Sequence, residues 1–115
     1  MEIIRRGTNE KLSESVEFQS IVYVAGKLPA DLTNDITAQA KSVLQVVEDA
    51  LTRAGTDKSR LLLAQIYLKH RGDAAAFNAV WNAWLPEGCA PARICVEANM
   101  LNDAVLVELN VTAAK

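Results

Sequence analysis

Between residues 34 and 54, apolar side chains recur at Ile36, Ala40, Val43, Leu44, Val47, Ala50, Leu51 and Ala54, three or four positions apart. That spacing sets them in one stripe along an α-helix, and a helix with a single apolar stripe must lay it against another layer of structure. Asp31, Thr33 or Asn34 supplies the N-cap, and Gly55 fits the position just past the C-terminus. A second helix is expected over residues 73–85. Its stripe is Ala76, Phe77, Val80, Trp81 and Trp84, with Asp73 as cap and Pro86 as the stop.

The layer that receives these stripes is expected to be a sheet. Residues 16–19 and 21–25 read as short strands, the second closed by Gly26 and Pro29, and residues 3–5 add an edge strand. In residues 60–69, Leu62, Ala64, Ile66 and Leu68 fill one face while Leu61 and Leu63 lie on the other. A strand apolar on both faces needs cover on both, and a subunit contact can supply the second.

Two alternating segments follow. In residues 93–99, Ile94, Val96 and Ala98 share one face and Arg93, Cys95, Glu97 and Asn99 the other. In residues 104–112, Val105, Val107, Leu109 and Val111 form the apolar face, opposed by Leu106, Glu108 and Asn110. Residues 100–103 have the length of a hairpin loop. Pairing Asn99 with Ala104 sets Cys95 opposite Glu108 and Arg93 opposite Asn110, so Arg93 and Glu108 become diagonal neighbours about 7–8 Å apart on the face away from the helices. A register shift by two keeps the faces and changes the partners. The expected product is an α+β layer, one domain over residues 1–115, with two helices on one sheet face and the other free for an interface and a site.

Half of the 115 residues are apolar and 23% are charged, a globular balance. The net charge of −2 and a sequence pI near 5.3, with Arg5-Arg6 as the one basic doublet, make nucleic acid a poor partner and a small ligand the better one. No apolar run approaches a membrane span, and Met1 to Arg6 lacks the apolar region of a signal peptide, so no membrane partner and a cytoplasmic location are expected. Cys89 and Cys95 are then reduced thiols. With His70 distant from both, they fall short of a zinc site.

The run Pro91-Ala92-Arg93-Ile94-Cys95-Val96-Glu97, followed by Val105-Leu106-Val107-Glu108-Leu109, resembles the C-terminal signature of the Rid (YjgF) family. Ala25-Gly26-Lys27-Leu28-Pro29 is similar to the family's glycine turn, and Gln39-Ala40 and Asn78-Ala79-Val80-Trp81 also fall where the family has similar residues. The resemblance covers nearly the whole chain. It implies a chorismate-mutase-like α+β fold, a homotrimer, and ligand sites in clefts between subunits. It further implies cofactor-free, metal-free hydrolysis of reactive 2-imino acids and their enamine tautomers to 2-keto acids and ammonia. In that pattern Arg93 binds the substrate carboxylate, Glu108 positions or deprotonates the attacking water, and Cys95 offers backbone contacts. Leu12 and Ala25 stand where relatives of the RidA type place a tyrosine and a serine, which removes two hydroxyls from the expected pocket and marks a short branch of the family.

Taken as residues, Arg93 suits bidentate carboxylate binding or an interface ion pair. Glu108 sits mid-strand, where glutamate is disfavoured, so it is a general base or a salt-bridge partner. Glu97 reads as structural or interfacial. Cys95 has no histidine nearby in sequence to make it a nucleophile. Asn78 lines the cleft or caps a loop. Trp81 and Trp84 read as core, Gly26 as serving backbone geometry or close ligand approach, and His70 as a solvated surface residue. The alternative to the enzyme is a non-catalytic trimer that binds a small carboxylate metabolite or a partner protein. A ribonuclease is disfavoured by the acidic balance and by the lack of a histidine pair.

Overall fold

The computed structural model describes residues 2–115, and among these it forms one six-stranded sheet and two α-helices. In chain order the elements are β1 (Ile4–Arg6), β2 (Ser15–Phe18), β3 (Ile21–Val24), α1 (Ile36–Arg53), β4 (Leu61–Leu68), α2 (Ala74–Trp84), β5 (Ala92–Glu97) and β6 (Val107–Ala114). The sheet order is β1-β2-β3-β6-β4-β5. β6 runs antiparallel to both β3 and β4, so β3 and β4 are parallel to each other with β6 inserted between them. β4 and β5 are directly paired and parallel. Each parallel relation is bridged by a helix, α1 between β3 and β4 and α2 between β4 and β5, as parallel strands require a long crossover.

Both helices lie on one face. α1 buries Gln39, Ala40, Val43, Leu44, Val47, Ala50 and Leu51, and α2 buries Phe77 and Trp81. Under them lie Val22 and Val24 of β3, Ala64, Ile66 and Leu68 of β4, and Val107, Leu109, Val111 and Ala113 of β6. The cap of α1 is Asp35, whose carboxylate accepts from the Thr37 amide at 3.1 Å, in place of the three neighbours expected from sequence. Asp31 instead accepts from Thr33 and shapes the preceding turn. Gly55 takes φ +84° just past the end of α1, in the left-handed conformation that closes a helix. Asp73 precedes α2 without a side-chain capping bond.

Three expectations are corrected. β5 and β6 are not a hairpin: the Asn99–Ala104 pairing does not form, and β4 lies between the two strands. β5 also presents its other side to the helices. Parallel pairing sets Arg93 beside Ala64 and Cys95 beside Ile66, on the helix side, while Ile94 and Val96 look outward, 45% and 46% exposed. In β4 a register irregularity between Leu61 and Leu63 returns Leu61 to the core face and leaves Leu62 46% exposed, reversing their expected roles.

The 98–106 connection crosses the end of β4 and is tied down by a buried amide. Gln39 donates through Nε2 to the carbonyls of Thr33 (3.1 Å) and Ala104 (2.8 Å) and accepts from the Leu106 amide at 2.7 Å. Elsewhere the Glu14 carboxylate takes a two-pronged contact from Arg53, at 2.9 Å and 2.6 Å, and a third from Lys27 at 3.3 Å, which pins the segment after β3 to the end of α1. These cations, Arg53 foremost, pull the Glu14 carboxyl down to about 2 from 4.5 against the opposing effect of burial.

A carboxyl whose pKa falls on folding stabilises the native state above its unfolded value, and that contribution disappears as pH drops through the folded one. With Arg53 more than half exposed, the contribution is about 1 kcal/mol. Urea unfolding should therefore show parent and Glu14→Gln separated by that amount at pH 7 and converging as the pH falls from about 5 to about 2. A constant gap down to pH 2 would remove the ion cluster as its cause.

Candidate active site in two halves

The residues singled out from sequence collect in two places. On β5, Arg93 sits at the open edge of the sheet, so its side chain leaves the core alongside α2. Its Nη1 donates to Asn78 Oδ1 at 2.8 Å, and its guanidinium carbon lies 5.4 Å from the centre of the Trp81 ring. Trp81 is buried and stacks on Phe77, so a rigid core aromatic serves as the platform on which a cation is held. Asn78 fixes one prong of the fork. Among the described residues no carboxylate lies within ion-pairing distance of Arg93. Cys95, two residues on, packs against the core. Burial pushes its thiol up, and the nearby Arg93 charge offsets only part of that, which keeps it protonated and unsuited to nucleophilic attack.

The second half lies on the outward face, on β6. Glu108 stands in a cross-strand row with Tyr67 of β4 and Val96 of β5. Its carboxylate lies against Gly26, whose backbone runs beside β6 because Lys27 and Leu109 exchange hydrogen bonds of 2.8 Å and 3.2 Å. A Cβ at Gly26 would meet Glu108 Oε2 at 2.8 Å, so a side chain there must push the carboxylate aside. Among the described residues no hydrogen bond or ion pair engages the Glu108 carboxylate, which removes the salt-bridge reading of this residue. It opens on a cavity of about 190 Å³ lined by Gly26, Leu28, Met100, Leu101, Asn102, Val105 and Glu108.

Arg93 and Glu108 are therefore not neighbours, as the hairpin register had them. Arg93 is in line with Ala64 and, through it, with Val111, three residues along β6 from Glu108. They are two strand spacings apart across the sheet, about 10 Å, another ~10 Å along it, and on opposite faces. Ala25 is half-buried beside Gly26, its amide donating to the Glu14 carbonyl. Leu12 is 54% exposed in a turn organised by Asn9 and is not in the lining of the cavity beside Glu108.

Glu97 accepts from the Arg71 amide at 2.9 Å, a structural contact. It borders an open depression with Lys69, His70, Ala98 and Asn99. Trp84 donates through its indole N–H to Glu48 at 2.9 Å beneath Lys58. Among the described residues, no three of the histidine, cysteine, aspartate and glutamate side chains converge as metal ligands would.

Sequence reasoning missed Leu28 and the wall formed by Met100 and Leu101. The signal was present: two large apolar residues in a segment read as a hairpin loop have no reason to be there unless something covers them. Leu101 is fully exposed in the single chain.

A family model described as Endoribonuclease L-PSP matches residues 5–115. A YjgF-family protein from Neisseria meningitidis superposes with a TM-score of 0.96 at 36% identity, over 100% of this chain and 96% of that one. The chain belongs to the YjgF, or Rid, family. Among curated relatives, a RutC family protein of Haemophilus ducreyi is 35% identical over 97% of this chain and 96% of its own length. The 3-aminoacrylate deaminase RutC of Acinetobacter baylyi is 32% identical over 93% and 91%. The family thus includes deaminases.

Because the atom that a Gly26 side chain would strike is the mobile end of Glu108, Gly26→Ala should fold with stability within about 1 kcal/mol of the parent, since alanine also restricts the unfolded chain. The Glu108 carboxylate should be displaced. Any activity that depends on it should fall at least tenfold, a loss of about 1.4 kcal/mol in barrier terms. Full activity with intact stability would show that the carboxylate's position is unimportant.

Proposed function

We propose that the protein is a homotrimer that hydrolyses 2-imino acids and their enamine tautomers to 2-keto acids and ammonia, in clefts where Arg93 of one protomer meets Glu108 of the next. The observation that carries this reading is the separation of the two charges. Both lack an ion-pair partner among the described residues, and within one chain no small molecule reaches from one to the other. The outward sheet face supplies the contact surface. Val16, Tyr23, Thr112 and Leu63 form one row across it, and Ile94 and Val96 flank it; of these, Tyr23, Ile94 and Val96 are exposed in the single chain. The deaminase among the relatives acts, by its name, on an enamine carboxylate, which supports the substrate class.

The chemistry asks little of the protein. The Arg93 fork, held by Asn78 and Trp81, grips the substrate carboxylate and presents the C=N carbon to the neighbour's Glu108. Glu108 takes a proton from water as the water oxygen bonds to the carbon of the protonated imine, giving a neutral carbinolamine. It returns that proton to nitrogen and then accepts the hydroxyl proton as the C–N bond breaks, leaving the keto acid and ammonia, which takes up the proton the imine brought. Water is consumed once, and the net proton count is unchanged. The net charge of −2 and the isolated His70 favour this over the nuclease named in the family description.

Imino acids generated in place by an amino-acid oxidase give the test. Their decay should be accelerated by the parent, and Arg93→Ala and Glu108→Gln should each abolish that acceleration. Mixed trimers reassembled from equal amounts of the two inactive variants should recover activity at about a quarter of their sites, those joining an intact Arg93 to an intact Glu108. Activity in either variant alone, or none in the mixture of well-assembled trimers, would overturn the shared site.

Ala25 and Leu12 favour a second reading, since the hydroxyls that RidA-type relatives carry at those positions are absent. On that reading the trimer holds a small carboxylate metabolite, or a partner protein, without turnover. Keto-acid binding by calorimetry together with unaccelerated ammonia release would support it.

A further inference from the structure

We infer that the cavity beside Glu108 is a subsite for the substrate's side chain, and that it selects 2-imino acids with a bulky apolar side chain over small or acidic ones. This rests on the reading of Glu108 given above and goes beyond it by naming what the rest of the substrate must be.

The cavity's size sets the occupant. At about 190 Å³ it is too small for a cofactor or a whole drug-sized ligand, which take roughly 300–1,000 Å³. An apolar cavity of about 150 Å³ holds a benzene ring, so an isobutyl or benzyl group fits here. The lining sets the chemistry: Leu28, Met100, Leu101 and Val105 present four apolar side chains. The Asn102 carbonyl oxygen of the side chain is already engaged by the Ala104 amide at 2.9 Å. The one charged group in the lining is the Glu108 carboxylate, which repels an acidic side chain and leaves an alanine-type methyl with most of the apolar wall uncovered.

The wall is built rather than loose. Gln39 holds both sides of Val105 through Ala104 and Leu106, the Val105 amide donates to the Asn102 carbonyl at 3.0 Å, and Lys69 Nζ donates to the Asp103 carbonyl at 2.6 Å. Met100 and Leu101 stand just before this anchored stretch, with Leu101 exposed for want of anything against it in the single chain. Leu28 faces them from the turn that carries Gly26. A side chain projecting from a carbon held at Glu108 has this apolar slot immediately beside it.

The test compares imino acids made in place from leucine, phenylalanine, alanine and glutamate. In the parent trimer, kcat/KM for the leucine- and phenylalanine-derived imines should exceed that for the alanine-derived one by about tenfold or more, with the glutamate-derived imine poorest. In a Leu28→Ala, Leu101→Ala double variant the leucine-to-alanine ratio should collapse about tenfold. The ratio within one preparation is independent of the fraction folded, and light scattering checks that the trimer persists. Equal rates for leucine- and alanine-derived imines in the parent would overturn the subsite while leaving the deaminase intact. So would an unchanged ratio in an assembled double variant. If no imine is hydrolysed, the deaminase reading fails, and calorimetry with 4-methyl-2-oxopentanoate and pyruvate decides the subsite by itself. Tighter binding of the branched acid, lost in the double variant, sustains it, and indifference between the two acids refutes it.

Discussion

The insertion of β6 between β3 and β4 is the contact on which the remaining structure depends. Its inward residues, Val107, Leu109, Val111 and Ala113, are all essentially inaccessible and lie under the helices. With β6 in the centre, α1 and α2 become the crossovers of a sheet whose strands β3, β4 and β5 run the same way. The same placement fixes the outward set, Glu108, Asn110 and Thr112, because a strand hydrogen-bonded on both sides cannot slip by one residue without turning four apolar side chains to water. It also sends the chain on a detour. To reach the centre from β5 at the edge, residues 98–106 must pass the end of β4, and that passage forms one wall of the cavity beside Glu108.

What was legible in the sequence was periodic. The two helical stripes and the faces of β6 follow from spacing alone, since 3.6- and 2-residue periods mark which side chains travel together. Period does not say which of two faces turns inward, nor which strand lies beside which. β5 illustrates both failures. Ile94 and Val96 read as its core face, yet they point outward, and the inward positions carry Arg93 and Cys95. An edge strand has a margin where a long cationic side chain reaches past the core, and Asn78 and Trp81 receive it there. The hairpin expected between β5 and β6 came from a short loop of favourable length. The strand, helix and strand over residues 61–97 was the stronger pattern, because an intervening helix of this length is what two parallel neighbours require.

The Leu61–Leu63 irregularity was illegible for a different reason. A bulge changes the count by one, so a strict alternation assigns every residue before it to the wrong side. The cap of α1 was missed by one position because Asp31, Thr33, Asn34 and Asp35 are all competent capping residues within five positions. Geometry, which the sequence does not carry, chose among them. In the candidate site, the expected grouping of Arg93 with Glu108 on one face did not form: Arg93 lies with Asn78 on the helix side, and Glu108 with Gly26 on the outward face. The grouping is a consequence of sheet order, a long-range property.

The distribution of charge separates scaffold from site. The carboxylates that hold the fold together are paired: Glu14 with Arg53 and Lys27, Glu17 with Arg6 and Lys115, Glu48 with Lys58 and the Trp84 indole. Arg93 and Glu108 carry no counter-charge among the described residues: Arg93 is held by the neutral Asn78 and Trp81, and the Glu108 carboxylate lies against Gly26. Placing unpaired charges on strands carries a stability cost that a purely structural role would not repay, since apolar or paired residues at the same positions would serve better. Positioned charges without partners suit a ligand as the partner, and on the function proposed above a second chain brings together two groups that one sheet places on opposite faces. On the trimer proposed here, assembly and chemistry are therefore one event: a protomer alone holds two half-sites, and neither is competent until a neighbour's outward face closes over its edge strand.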